Sequence, residues 1–204
     1  MGTLKIIAVA CIGLFGFLTV QGQQDVLLRA FQESYVHEYN KRYAEAISVL
    51  SKTNDDSYEV NARLGYLQYL NKNYTQSVTS YQQAINSKPY AIEARLGIVK
   101  SLSALESWDK VLQQYEEILK IDPQNTFANY WAGVILYNRK KYQQAIKYFE
   151  KIVNLYPFDY ESNHMLAWTY LNLGRNNDAK KVFQKALLIK PGDTSSLEGL
   201  GKVK

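Results

Sequence analysis

The stretch YQQAIKYFEKIVNLYP, residues 142–157, decides the fold. Within it Tyr142, Ala145, Ile146, Phe149, Ile152 and Val153 recur at spacings of three and four. That is the apolar face of an amphipathic helix. Pro157 then ends it, because proline lacks the N–H that another turn needs and its ring clashes with the turn before. Outward from Pro157, the other prolines are Pro89, Pro123 and Pro191, each 34 residues from the next, and the chain has no others. The same step relates Tyr81, Tyr115, Phe149 and Phe183, then Ala84, Ile118, Ile152 and Ala186, then Ile85, Leu119, Val153 and Leu187. Upstream, Leu64-Gly65, Ile98-Val99, Ala132-Gly133 and Leu166-Ala167 keep the same spacing. The pattern predicts an all-α chain in which each unit is a helix, a short turn and a second helix.

At these residues the chain resembles the tetratricopeptide repeat, whose pattern is a Leu-Gly pair, an aromatic, an alanine, a second aromatic, another alanine and a closing proline. Here it reads Leu64-Gly65, Tyr74, Ser77, Tyr81, Ala84 and Pro89 in one unit. In another it reads Ala132-Gly133, Tyr142, Ala145, Phe149, Ile152 and Pro157. A third reads Leu166-Ala167, Gly174, Ala179, Phe183, Ala186 and Pro191. The resemblance implies a right-handed superhelical solenoid. Its units would be a degenerate first repeat over 23–57, then repeats over 58–91, 92–125, 126–159 and 160–193. A short capping helix over 194–204 would start after Asp193-Thr194. In the first unit Tyr43, Ala46, Ile47 and Leu50 stand 31 rather than 34 residues before their counterparts, so the link through Asn54-Asp55-Asp56-Ser57 is expected to be short. The family's first-helix tryptophan slot holds Asn61, Arg95, Asn129 and Asn163, so that contact is expected to be missing.

Residues 1–22 read as a segment apart from the fold. Lys5 precedes an uncharged apolar run from Ile6 to Val20, and Val20 and Gly22 form the small, spaced pair of a cleavage site. This predicts a secretory signal peptide cut between Gly22 and Gln23. Retained as a helix the run would rise ~22 Å, short of a ~30 Å hydrocarbon core. Membrane attachment is therefore expected only if the segment stays on. The expected location is the periplasm or the exterior of a Gram-negative bacterium. The sole cysteine, Cys11, lies inside the run, so the mature chain is expected to contain neither a disulfide nor a thiol nucleophile.

The charge balance of the full chain is +5. Removing residues 1–22 takes away one lysine and no acid, and the remaining excess is spread without a basic stripe, which argues against a nucleic-acid partner. The two histidines, His37 and His164, have no neighbour at metal-ligand spacing. No G-x-S-x-G, P-loop or dinucleotide fingerprint occurs. The reading is a protein that is not an enzyme and needs no cofactor or metal.

The resemblance places first helices on a concave, preformed face that can take an extended partner at low ordering cost. Mapping that face onto this chain gives Tyr35, Tyr39, Tyr66 and Tyr69 from the first two units and Lys100 from the third. The fourth contributes Tyr130, Tyr137 and Asn138, and the fifth His164, Trp168 and Asn172. Rigid aromatics give large contact area at small entropic cost. The expected function is a protein- or peptide-binding scaffold. The alternative is a glycan- or peptidoglycan-binding module that stacks sugar rings on these aromatics. Each tyrosine could equally be a half-buried spacer between hairpins.

Overall fold

The structure, a computed structural model, describes residues 24–203. The predicted signal segment and Lys204 lie outside the described residues. Every regular element among those residues is an α-helix. The first, α1, spans residues 24–39. Then follow α2 (Tyr43–Ser51), α3 (Tyr58–Leu70), α4 (Tyr74–Ser87), α5 (Ile92–Ala104) and α6 (Trp108–Ile121). The remainder are α7 (Thr126–Asn138), α8 (Tyr142–Leu155), α9 (Tyr160–Asn172), α10 (Asn176–Ile189) and α11 (Thr194–Lys202). The chain forms two compact units, meeting in sequence at Ser101 and Leu102.

The turns inside the hairpins share one backbone device. Lys41, Lys72, Glu106, Lys140 and Gly174 all adopt positive φ, between 50° and 75°. After each, the next N–H reaches back to a carbonyl of the preceding helix: Asn73 to Gln68 at 2.8 Å, Lys141 to Leu136 at 2.8 Å, Arg175 to Tyr170 at 2.9 Å. This is a Schellman-type closure, which satisfies carbonyls that a helix end leaves free. Only Gly174 carries the residue type to which left-handed backbone costs nothing.

A different device closes the turns between hairpins. The side chains of Ser57, Asn125, Asp159 and Asp193 accept from the N–H groups of Val60, Ala128, Ser162 and Ser196, capping α3, α7, α9 and α11. The residues in the tryptophan slot then tie down the turn itself. Asn129 Nδ2 donates to the carbonyls of Pro123 (3.2 Å) and Asn125 (2.9 Å). Asn163 does the same to Pro157 (3.1 Å) and Asp159 (2.6 Å), and Asn61 to Asp56 and Ser57. Arg95 reaches Pro89 at 3.0 Å. The missing tryptophan is thus replaced by a side chain whose donors hold a carbonyl of the turn, the proline's own in the units of Arg95, Asn129 and Asn163.

The expected short link is not found: the deficit lies in α2, and residues 52–57 that join it to α3 outnumber residues 88–91 that join α4 to α5. The helix α2 has nine residues where α4 has fourteen. Thr53 Oγ1 donates to Leu50 O at 2.7 Å and Asp55 Oδ1 accepts from Ser57 N at 2.8 Å, so side chains complete the turn where no proline stands.

Packing centres on the second aromatic of each hairpin. In the N-terminal unit, a Cβ added at Gly65 would lie 2.7 Å from the Tyr81 ring, and one at Gly97 2.3 Å from it. Phe149 sits the same way on Gly133, and Phe183 on Gly199 of α11. Phe149 and Phe183 are fully buried. Tyr81 and Tyr115 are nearly so, and burial pushes the Tyr115 hydroxyl up to about 12. The helix α11 packs on both α9 and α10 and covers the Phe183 ring.

Candidate functional site

In the N-terminal unit, α1, the start of α2 and α3 enclose an open cleft of about 870 Å³. Tyr35, Tyr39, Tyr43 and Tyr66 line it, with Arg63 among them. Tyr39 is 89% exposed and Tyr35 56%, far outside the range of a packed spacer. Tyr66 is different. It is half-buried and packs against the core of Ala30, Ala46, Leu50 and Leu67. Burial raises the pKa of its hydroxyl, with the Glu38 charge and hydrogen bond adding to the effect.

Arg63 organises the cleft wall although its side chain is only 8% exposed. Its Nη1 pairs with Glu38 at 2.6 Å and its Nε donates to Ser34 Oγ at 3.3 Å. Its guanidinium lies 3.8 Å from the centre of the Tyr35 ring. Nη2 is buried with no partner. A buried charge needs its counter-charge, so Glu38 is structural as much as it is a wall of the site.

The remaining residues expected in this unit lie apart from the cleft. Tyr69 packs on Tyr74 across the hairpin turn, with ring centres 5.8 Å apart. Lys100 is exposed on α5.

In the C-terminal unit the expected residues form two groups. Tyr130 is half-buried, edge-on to Trp131 at 5.4 Å and to Phe149 at 6.1 Å. Burial raises its hydroxyl pKa, with the Glu161 and Asp159 charges adding to it. The second group is a hydrogen-bonded chain. Asn172 Nδ2 donates to the Tyr137 hydroxyl (3.1 Å) and to Trp168 O (2.8 Å). Trp168 Nε1 donates to His164 Nε2 (3.2 Å) and to Ser195 Oγ on α11 (3.1 Å). Ser195 Oγ and His164 Nε2 are 2.9 Å apart. If Nε2 accepts from Trp168 it carries no proton, which is the neutral Nδ1–H tautomer. Burial holds the His164 pKa below the ordinary imidazole range. Tyr160 stacks on the His164 ring at 5.6 Å, and the Lys202 ammonium lies 5.3 Å from the Trp168 ring. His164 and Trp168 are therefore committed largely to holding α11.

Asn138 falls elsewhere, beside a cleft of about 310 Å³ walled by Trp108 and Trp131. Both indoles are more than two-fifths exposed. Sequence reading passed over them because they share no column of the repeat. Tyr43 and Arg63 were missed too. Tyr43 was visible only as a repeat aromatic, and nothing in the sequence marks Arg63 as facing Glu38.

Among the described residues no three His, Cys, Asp or Glu side chains are placed to hold a metal ion. None of the helices described is long and apolar enough to cross a membrane.

Comparison with known proteins agrees with this architecture. None of the curated proteins matches the chain significantly. Similar solved structures include a tetratricopeptide repeat protein from Parabacteroides merdae, 18% identical with a TM-score of 0.72, covering 88% of this chain and 72% of that one. A second is YrrB, described as a tetratricopeptide repeat protein with an unusual peptide-binding site. It is 13% identical with a TM-score of 0.69, covering 89% and 95%. A third is MamA from Desulfovibrio magneticus, 16% identical with a TM-score of 0.67, covering 83% and 98%. At these identities the likeness concerns the fold. Family models described as tetratricopeptide repeat match residues 58–90, 96–160 and 136–200, and together with the hairpins described above they establish that the chain belongs to the tetratricopeptide repeat family.

Proposed function

We propose that this chain is a non-catalytic scaffold that binds an extended peptide or partner segment on the exposed aromatic side chains of its first helices, and that it acts outside the cytoplasm. The observation that carries the binding reading is the four-tyrosine cleft of the N-terminal unit, where Tyr35 and Tyr39 stand exposed on α1. Leaving large aromatics in water without a partner is unfavourable, and such patches mark binding surfaces. The peptide-binding site ascribed to YrrB, a protein of the same fold, supports the reading by analogy.

A peptide array probed with the purified chain tests it. Bound peptides should be lost on combined Tyr35→Ala and Tyr39→Ala substitution, with helical circular dichroism unchanged. Retention of the same peptides by the double variant would move the site away from α1. Binding of peptidoglycan fragments or polysaccharide instead, lost in the same variant, would favour the glycan reading.

The extracytoplasmic setting rests on the charge and apolar run of residues 5–20. Its test is osmotic-shock fractionation of the native host with N-terminal sequencing. Release of a chain starting at Gln23 is expected, and a cytosolic chain starting at Met1 would overturn it.

A further inference from the structure

We propose that the cleft of the N-terminal unit selects a proline-rich segment held in the polyproline II conformation; this rests on the peptide-binding reading above and specifies its ligand. The argument starts from which polar groups the cleft still has to offer. Glu38 is its one carboxylate, and it is already engaged by Arg63 Nη1 at 2.6 Å and by the Tyr66 hydroxyl. What remains is rich in donors. The hydroxyls of Tyr35, Tyr39 and Tyr43 line the cleft and can donate as well as accept, whereas Lys41, which also lines it, can only donate. Beneath them lies Arg63 Nη2, buried and unpartnered.

A buried donor without a partner is destabilising, and an incoming acceptor relieves it. Tyr35 stacks on the same guanidinium and is itself more than half exposed, so rotation of that side chain would bare one face of the group.

The ligand that fits such a surface carries acceptors, few donors and flat apolar faces. A polyproline II segment has these properties. Its backbone makes no internal hydrogen bonds, so its carbonyls are free, and proline contributes no N–H that would go unpaired. Its rings pack on aromatic faces, and its conformation is already ordered before binding, which lowers the entropic cost. An acidic peptide fits less well, because the Arg63 charge is already neutralised and Lys41 alone is left to pair with it.

The test is an anisotropy titration of the full chain with a fluorescein-labelled, end-blocked decaproline. A length-matched Gly-Ser peptide and a hexaglutamate serve as comparisons. Decaproline should bind at least tenfold more tightly than either. Tyr39→Ala, at a position too exposed to affect folding, should weaken it at least tenfold. Arg63→Lys keeps a positive charge opposite Glu38 but removes Nη2, and it should weaken decaproline binding while circular dichroism stays the same. Equal binding of Gly-Ser, tighter binding of hexaglutamate, or decaproline binding indifferent to Tyr39→Ala would each overturn the proposal. Array peptides without proline that bind in a Tyr39-dependent manner would overturn it while leaving the peptide-binding reading intact. Loss of both would remove both.

Discussion

Asn129 and Asn163 each hold a proline carbonyl and an N-cap carbonyl of the turn that precedes their helix. Both side chains are buried, whereas Pro123 and Pro157, whose carbonyls they hold, are exposed. Asn129→Ala removes both side-chain bonds at once, while Asn125 O keeps the Asn129 N–H, so the cost should be about 0.5–1.5 kcal/mol, that of an ordinary hydrogen bond. The measurement is a urea unfolding midpoint, which should fall at unchanged slope. A variant that unfolds with the parent would show that these bonds merely replace water. The column itself was legible in the sequence as a 34-residue step. Its role was not, because it depends on the direction in which each turn points its carbonyls, and that is set by backbone angles no side-chain pattern reports.

At the scale of elements, hairpins close by inserting one aromatic ring against a bare helix backbone. Gly133→Val would place a Cβ 2.7 Å from the Phe149 ring, and the ring is fully buried with nowhere to retreat. Overpacking of this kind costs about 1–3 kcal/mol. Thermal melting should fall accordingly, whereas Gly201→Val, where an added Cβ meets nothing, should melt near the parent.

The attachment of α11 has its own signature. His164 contacts Trp168 and Ser195, and its burial favours the neutral ring. Burial lowers its folded pKa, with Lys190 acting in the same direction and the charges of Asp193 and Glu161 opposing. The unfolded chain therefore binds the proton more readily. Stability from this group is fully present above about pH 6.5, the ordinary value, and is lost as pH falls through the lower folded pKa. Amide exchange in α11 should rise in that window and His164→Gln should flatten the dependence. Exchange independent of pH in the parent would contradict it. The capping helix was legible from the Asp193-Thr194 cap and the Leu200-Gly201 pair. Its grip on Trp168 and His164 was not, since both had been assigned to the binding face.

On the scale of the whole molecule, repetition made the fold readable and the site hard to read. Copying a hairpin four times repeats each structural constraint at a fixed step, so core columns stand out against chance. A binding surface is made of what differs between copies. Tyr39 and Tyr66 look alike in sequence, yet one is almost wholly in water and the other packs on the core. Trp108 stands in the column of Tyr74 and Tyr142 and Trp131 in none of the aromatic columns, yet the two wall one cleft. Exposure of this kind depends on how neighbouring hairpins meet, which the 34-residue period leaves open. The most direct test of the account is amide NMR of the isotope-labelled chain titrated with a peptide selected on the array. Shifts should concentrate at Tyr35, Tyr39, Tyr43, Arg63 and Tyr66, around the cleft of the N-terminal unit. A titration that leaves these signals in place while moving those of Trp108, Trp131 and Asn138 would contradict it.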